Sequence, residues 1–123
     1  MPAYSNATPP LSLFPGDVGF SFNAESFPAD GTAGAQFAVP ESSGLPDQSH
    51  AVRWQTIFGS APTAINIRLQ GAMADVDAEY ADIDTSTATA GEARTVIGVR
   101  ARFLRIKKVT STSGTSLTAK ILP

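Results

Sequence analysis

The stretch that decides the fold class is HAVRWQTIF, residues 50–58. One set of alternate positions holds Val52, Trp54, Thr56 and Phe58, and the other holds Arg53, Gln55 and Ile57. Successive side chains of a β-strand point to opposite faces of the sheet, so a period of two indicates one buried and one exposed face. Residues 50–58 are therefore predicted to form a half-buried strand.

The same period of two recurs further along the chain, in INIRLQ at 65–70 and LTAKIL at 117–122. Residues typical of turns separate these segments, with GSAP at 59–62 and TSGT at 112–115. Short strands with turn signals at this spacing are typical of sandwiches. The sequence thus predicts an all-β protein with an antiparallel β-sandwich or jelly-roll fold.

The residue patterns of two segments do not fit a single regular strand. Residues 96–109 are long for a single strand, and Gly98 among them predicts a turn or a bulge. Residues 72–90 contain neither glycine nor proline, and their apolar positions suit either a short amphipathic helix or a strand with a loop. The threonine-rich tail after Ile83 favours the strand.

The first 48 residues differ from the rest because they contain seven of the nine prolines. Proline lacks the backbone N–H that a strand ladder needs and it breaks helices, which excludes a long helix or a central strand there. We therefore predict an extended Pro/Gly-rich N-terminal arm at residues 1–48 and a β-sandwich domain at residues 49–123.

This arm also contains five of the seven phenylalanines. Disordered segments are usually poor in aromatic residues, so these rings should pack either on the chain's own sandwich or on a partner. Deleting residues 1–48 would leave a soluble domain in the second case and an aggregating one in the first. The five rings are candidate partner contacts: Phe14, Phe20, Phe22, Phe27 and Phe37.

Charge is distributed unevenly along the chain, although the net charge is only −2. No lysine or arginine precedes Arg53, and six of the nine basic residues lie between Arg94 and Lys108. An acidic first half and a basic strand region can attract each other within one subunit or between neighbours, or they can be solvated faces. The basic candidates for partner contact are Arg100, Arg102, Arg105 and Lys107.

Residue types that carry catalysis or bind metal are scarce. The chain has no cysteine and a single histidine, His50, and it lacks the Gly-x-Ser-x-Gly elbow that would present a nucleophilic serine. Asp75, Asp77 and Glu79 could be a fragment of a calcium loop, but the glycine and distal glutamate of such a loop are missing, so an exposed polar turn is the alternative. We expect a non-enzymatic protein with no catalytic residue, no metal site and no cofactor.

Other partners are disfavoured by composition. The overall charge is not that of a nucleic-acid-binding domain. No apolar run approaches the roughly 20 residues of a membrane helix, and the N-terminus lacks the pattern of a secretory signal. Trp54 would stack on a sugar only if it were exposed, and its place in a half-buried strand favours the core.

A set of short motifs in the second half of the chain resembles a recurring pattern of tailed-bacteriophage virion proteins. The motifs, in order, are LQG at 69–71, DIDTS at 82–86, AGE at 90–92, VRARFLRI at 99–106 and TSTSGTSL at 110–117. They resemble small capsid decoration (cement) or head- and tail-associated proteins with a jelly-roll or discoidin-like sandwich. The resemblance covers roughly residues 50–122. Such proteins often carry an Asp-Gly turn and a tryptophan after the Gln-Gly strand, whereas residues 73–80 here are longer and lack that glycine.

The resemblance implies a structural protein of the virion, assembled in the host cytoplasm. It implies contacts with the major capsid protein or other virion proteins and a homo-oligomer, for example a trimer, without nucleic-acid or membrane partners. The alternative is a carbohydrate- or ligand-binding module of a phage tail or collar. A pair of exposed aromatic rings on one sheet face would favour that alternative.

Overall fold

The fold, seen in a computed structural model that describes residues 11–13, 17–39 and 50–123, consists of two β-sheets. The strands are β1 Leu11–Ser12, β2 Gly19–Ser26, β3 Thr32–Ala33, β4 Phe37–Ala38, β5 His50–Phe58, β6 Ala64–Ala72, β7 Ala81–Ser86, β8 Ala93–Val99, β9 Phe103–Thr112 and β10 Ser116–Leu122. A short 3-10 turn at Asp77–Glu79 precedes β7. The prediction of an all-β sandwich of antiparallel sheets is confirmed.

The two sheets have different strand orders. Sheet A runs β1-β4-β9-β6-β7, and β3 also pairs with β9; sheet B runs β2-β10-β5-β8. The pairs are antiparallel except β1 with β4. Thus β7 and β8 form edges of the two sheets, and β2 forms the opposite edge of sheet B.

The core lies between the sheets and follows the alternation seen in the sequence. Along β5, Val52 and Trp54 are buried and Arg53 is exposed. Each buried side chain of the Leu or Phe class stabilises the fold by roughly 1.5–3 kcal/mol relative to exposure. The largest fully buried apolar side chains come from both sheets: Trp54, Phe22, Ile67, Leu69, Leu104, Ile106, Leu117, Ile121 and Val52.

The described part of residues 1–48 differs from the expected extended arm, because residues 17–39 contribute strands to both sheets. Strand β2 pairs with β10 in sheet B, while β3 and β4 pair with β9 in sheet A. The Ser21 hydroxyl joins the two sheets, since it donates to the Ala35 carbonyl (3.0 Å) and accepts from the Ile106 N–H (3.0 Å). This segment therefore packs on the chain's own sandwich.

The two ambiguous segments take defined forms. In residues 72–90 the strand prediction is confirmed by β7, with only the short 3-10 turn before it. Residues 96–109 divide into the end of β8 and the start of β9, and Gly98 has a positive φ of 82°, a conformation that favours glycine. This break turns the chain from sheet B to sheet A.

Candidate interaction surfaces

Arg105 is a buried cation on the outer side of sheet A. Its neighbours Leu104 and Ile106 point into the core, so alternation directs Arg105 outward, yet only 4% of it is exposed. The segment between β6 and β7 covers it: Asp77 accepts a hydrogen bond from its guanidinium at 2.7 Å, and Tyr80 lies under the guanidinium carbon, 4.0 Å from the ring centroid. Gln70 Oε1 accepts a further bond from Nε at 2.9 Å.

Two further carboxylates accept hydrogen bonds from the partners of Arg105. Asp82 accepts hydrogen bonds from Gln70 Nε2 (2.9 Å) and Arg68 (2.5 Å), and Asp75 accepts from the Tyr80 hydroxyl (2.9 Å). The hydrogen bond from Arg105 lowers the pKa of Asp77, and those from Gln70 and Arg68 lower the pKa of Asp82 despite its partial desolvation. Burial, together with the bond to Asp75, raises the pKa of Tyr80. The network holds the segment before β7 against sheet A.

A second polar cluster closes the space between edge strands β7 and β8. Asp84 accepts hydrogen bonds from the Trp54 indole N–H (2.9 Å) and from Arg94 Nε (2.7 Å). Glu92 accepts from Arg94 (3.3 Å) and from the Ser86 hydroxyl (2.6 Å). Burial alone would raise the pKa of Asp84, but these donors outweigh it, so its pKa is lowered. The prediction that Trp54 belongs to the core is confirmed, with 1% of it exposed.

Lys108, like Arg105, is a buried cation, and it lies beside the segment that precedes β3. Its ammonium lies 2.8 Å from Asp30 and donates to the Pro28 carbonyl at 2.5 Å. The same ammonium is 5.6 Å from the centroid of Phe27. One ion pair thus joins the acidic first half to the basic strand within a single chain, and it lowers the pKa of Asp30.

The acidic run of residues 75–84 does not gather around one point. Asp77, Asp82 and Asp84 each face a different arginine. In the described part of the chain, no group of three or more acidic, cysteine or histidine side chains is arranged to hold a metal ion. These three carboxylates are partners of three arginines, of which Arg105 is buried and Arg68 and Arg94 are partly exposed.

The described strand residues of sheet B direct cations and no carboxylate to its outer face. Lys120 lies opposite Gln55 on one side and Phe20 on the other, and its ammonium is 5.4 Å from the Phe20 centroid. Arg53 is exposed on the neighbouring strand, and its guanidinium reaches only the Thr95 hydroxyl, at 3.4 Å. Among the described residues, neither cation forms an ion pair. Val18 and Ile57 are exposed on the same side.

A groove of about 430 Å³ runs between the end of β8 and the segment after β6. Its lining includes the apolar side chains Met73, Ile83, Val96 and Val99 and the charged residues Glu79, Asp82 and Arg100. Ile97, on the outer side of β8, is 85% exposed. The groove is open to solvent beside the two sheet edges.

The nine candidate contact residues differ in how far the fold buries them. Phe22, Phe37 and Arg105 are buried within the chain, which differs from the expectation that they contact a partner, because β2, β4 and the segment before β7 use them in the fold. Phe27 and Lys107 are half-buried, and Phe27 packs edge-on against Phe58. Three are exposed: Phe20, Arg100 and Arg102. Phe14 lies outside the described residues.

Two residues of the sheet B face were not singled out by the sequence, Arg53 and Lys120. Each lies in a strand whose alternation was recognised, and the polar phase of that alternation places both on the outer side. The missing signal was strand pairing. Lys120 and its partner Gln55 are 65 residues apart in the sequence, and Leu122 and its partner Arg53 are 69 apart, so β5 and β10 become neighbours only in the fold.

Comparison with known proteins shows a shared fold. No family model and no curated protein matches the chain. Among solved structures, the chain is similar to the SPBc2 prophage-derived protein YomS, with a TM-score of 0.52 and 8% sequence identity over 85% of this chain and 92% of that one. At that identity the likeness is one of fold. The described residues also include no helix long and apolar enough to cross a membrane.

Proposed function

We propose that this chain is a non-enzymatic structural protein of a tailed-phage virion, which decorates or cements the particle through contacts between subunits. The observation that carries the proposal is the outer face of sheet B, where exposed apolar side chains surround two cations that have no carboxylate partner among the residues the structure describes. Exposed apolar patches with polar borders are typical of protein-binding surfaces.

The pairing of ionisable groups supports a non-catalytic role. The buried cations Arg105 and Lys108 each face a carboxylate, and Asp84 is held by Arg94 and the Trp54 indole. Charges neutralised in this way stabilise a structure, whereas a catalytic site needs a perturbed group that is accessible to substrate. The fold shared with a prophage-derived protein supports a phage origin.

The expected partners are the major capsid protein or other virion proteins, together with further copies of the chain. A glycan-binding module of a tail or collar would require a platform of exposed rings. Among the described residues Phe20 is the one aromatic side chain that is exposed, which does not favour that alternative.

Mass spectrometry of particles tests the proposal. Particles released by the phage, or by the induced prophage, that encodes this chain are purified on a density gradient, and the chain is quantified against the major capsid subunit. We expect a fixed ratio that persists through repeated gradients, with an abundant host protein as the carry-over control. A chain that copurifies no better than that host protein would overturn the proposal.

A further inference from the structure

The large apolar side chains that the described fold leaves exposed fall mainly into two patches of opposite charge. The sheet patch consists of Val18, Phe20, Arg53, Ile57 and Lys120 on the outer face of sheet B. The loop patch consists of Met73, Asp75, Val76 and Glu79, between β6 and β7. Met73 is 68% exposed and Phe20 is 40% exposed.

The sheet patch is positive. Strand register places Lys120 between Phe20 and Gln55, and Arg53 two positions further along β5. Diagonal neighbours on one sheet face are about 7–8 Å apart, so the two cations can reach a common partner. The strands that form this face direct no carboxylate outward among their described residues.

The loop patch is negative. Within the described part of the chain, the donors to Asp75 are neutral: Gln36 at 3.3 Å and Tyr80 at 2.9 Å. Glu79 is exposed, and it lines the groove together with Asp82 and Arg100. Met73 and Val76 supply apolar surface between these carboxylates.

The patches lie on opposite sides of the sandwich. The segment that carries the loop patch covers Arg105 on the outer side of sheet A, whereas the sheet patch is the outer face of sheet B. The two sheets, about 10 Å apart, lie between Asp75 and the sheet patch, and Met73 and Glu79 border the groove beside β8, the edge of sheet B opposite Phe20. They therefore cannot meet within one chain.

We propose that the loop patch of one copy binds the sheet patch of the next copy, so that the protein self-associates head to tail. Each patch offers apolar side chains and charges that match the other in sign, which favours both the contact and its orientation. A single partner cannot reach both patches of one molecule, so the contact is heterologous and generates a ring or a filament rather than a two-fold dimer. This inference rests on the proposed function for its biological role, and it identifies the surfaces through which subunits would meet.

Two variants separate the patches. Phe20→Ser/Lys120→Glu damages the sheet patch, and Val76→Ser/Glu79→Lys damages the loop patch. The double substitutions Thr87→Glu/Ala90→Glu and Thr87→Lys/Ala90→Lys, at exposed positions between β7 and β8, change the net charge by the same amounts and serve as matched controls. Far-ultraviolet circular dichroism and Trp54 fluorescence confirm that each variant is folded.

Size exclusion with light scattering gives the mass of the full chain over a wide concentration range. We expect the wild type and both controls to associate. Each patch variant alone should remain a monomer, with association weakened about tenfold or more, because like charges then face each other where opposite charges met before. A mixture of the two patch variants retains one intact pair of patches, so we expect a 1:1 complex that grows no further.

Two results would contradict the head-to-tail arrangement. A wild type that stays monomeric at every concentration, or a loop variant that still dimerises through its sheet patch, would overturn the head-to-tail contact. Either result leaves the proposed function standing if the chain is found in purified particles. Self-association without incorporation into particles would instead remove the proposed function and keep the contact.

Discussion

At the scale of single residues, the fold depends on cations that the chain buries and pairs itself. Arg105 contacts a carboxylate, an amide oxygen and an aromatic face, and little of it is exposed. Its partners are not equivalent, because Gln70 is buried whereas 87% of the Asp77 side chain is exposed. Most of the contribution of Arg105 should therefore come from Gln70 and the stacked ring.

Replacing Arg105 tests whether Gln70 and the Tyr80 ring account for most of its contribution to stability. We expect Arg105→Ala to lower the free energy of unfolding by about 2–3 kcal/mol, because it strands the buried Gln70 oxygen and removes the stacking on Tyr80. Arg68→Ala, on the same face, breaks an exposed ion pair and should cost no more than about 1 kcal/mol. Urea titration followed by Trp54 fluorescence measures both, and equal losses would contradict the distinction.

Asp84 predicts how stability depends on pH. Burial raises its pKa, but the bonds from Arg94, Trp54 and the Thr85 N–H prevail and lower it below the ordinary value of 3.8. A carboxylate with a lowered pKa in the folded state contributes stability above its unfolded pKa and loses it as the pH falls through the folded value. The melting temperature should therefore fall as the medium is acidified below about pH 4.

The Asp84→Asn variant isolates this contribution. Its melting temperature at neutral pH should be lower than that of the wild type, and the difference should shrink as the pH falls below about 4. Glu79→Gln removes an exposed carboxylate with the same change of charge and is the control. A difference that stays constant across the acid range would show that Asp84 contributes through shape and not through its charge.

At the scale of elements, the approach of β2 to the segment before β4 depends on Gly34. A Cβ at this position would lie 2.3 Å from the Ser21 carbonyl oxygen and 2.5 Å from its hydroxyl. The Gly34 N–H also donates to the Ile106 carbonyl at 2.8 Å, which holds the segment against β9. No side chain fits without a shift of the backbone that links the two sheets.

We expect Gly34→Ala to destabilise the fold by about 2 kcal/mol or more, because the contact is with backbone and cannot be relieved by a rotamer change. Thr32→Ala, in the same segment but half-exposed, should change stability by less than about 1 kcal/mol. Thermal unfolding followed by circular dichroism checks the pair. A Gly34→Ala variant as stable as Thr32→Ala would show that β2 and this segment are free to move apart.

The elements also show what the sequence could and could not predict. Alternation placed Trp54 and Val52 inside and located β5, β6 and β10, because burial of one face imposes a period of two. The proline-rich composition predicted an extended arm where the structure has strand β2. This strand directs Phe22 inward and Phe20 outward, and its register with β10 is shifted nearby. The burial of Arg105 could not be foreseen, since it depends on a distant segment folding over the sheet.

At the scale of the whole molecule, the first 39 residues supply part of the core. Leu13, Phe22, Phe37 and Val39 are buried against residues from the later strands. At roughly 1.5–3 kcal/mol for each side chain, their burial contributes about 6–12 kcal/mol. That is comparable to the total stability of a typical domain, about 5–15 kcal/mol.

Truncation tests the dependence of the later strands on the earlier ones. We expect a chain lacking residues 1–39 to aggregate or to lose cooperative unfolding, because β10 becomes an uncovered edge and Phe22 no longer covers the core. A chain lacking only residues 1–10 retains every described strand and is the control. Size exclusion and Trp54 fluorescence during urea titration report both outcomes. A truncated chain that stays monomeric and unfolds cooperatively at the same urea concentration would mean that residues 50–123 fold alone, and that the first strands bind a finished sandwich.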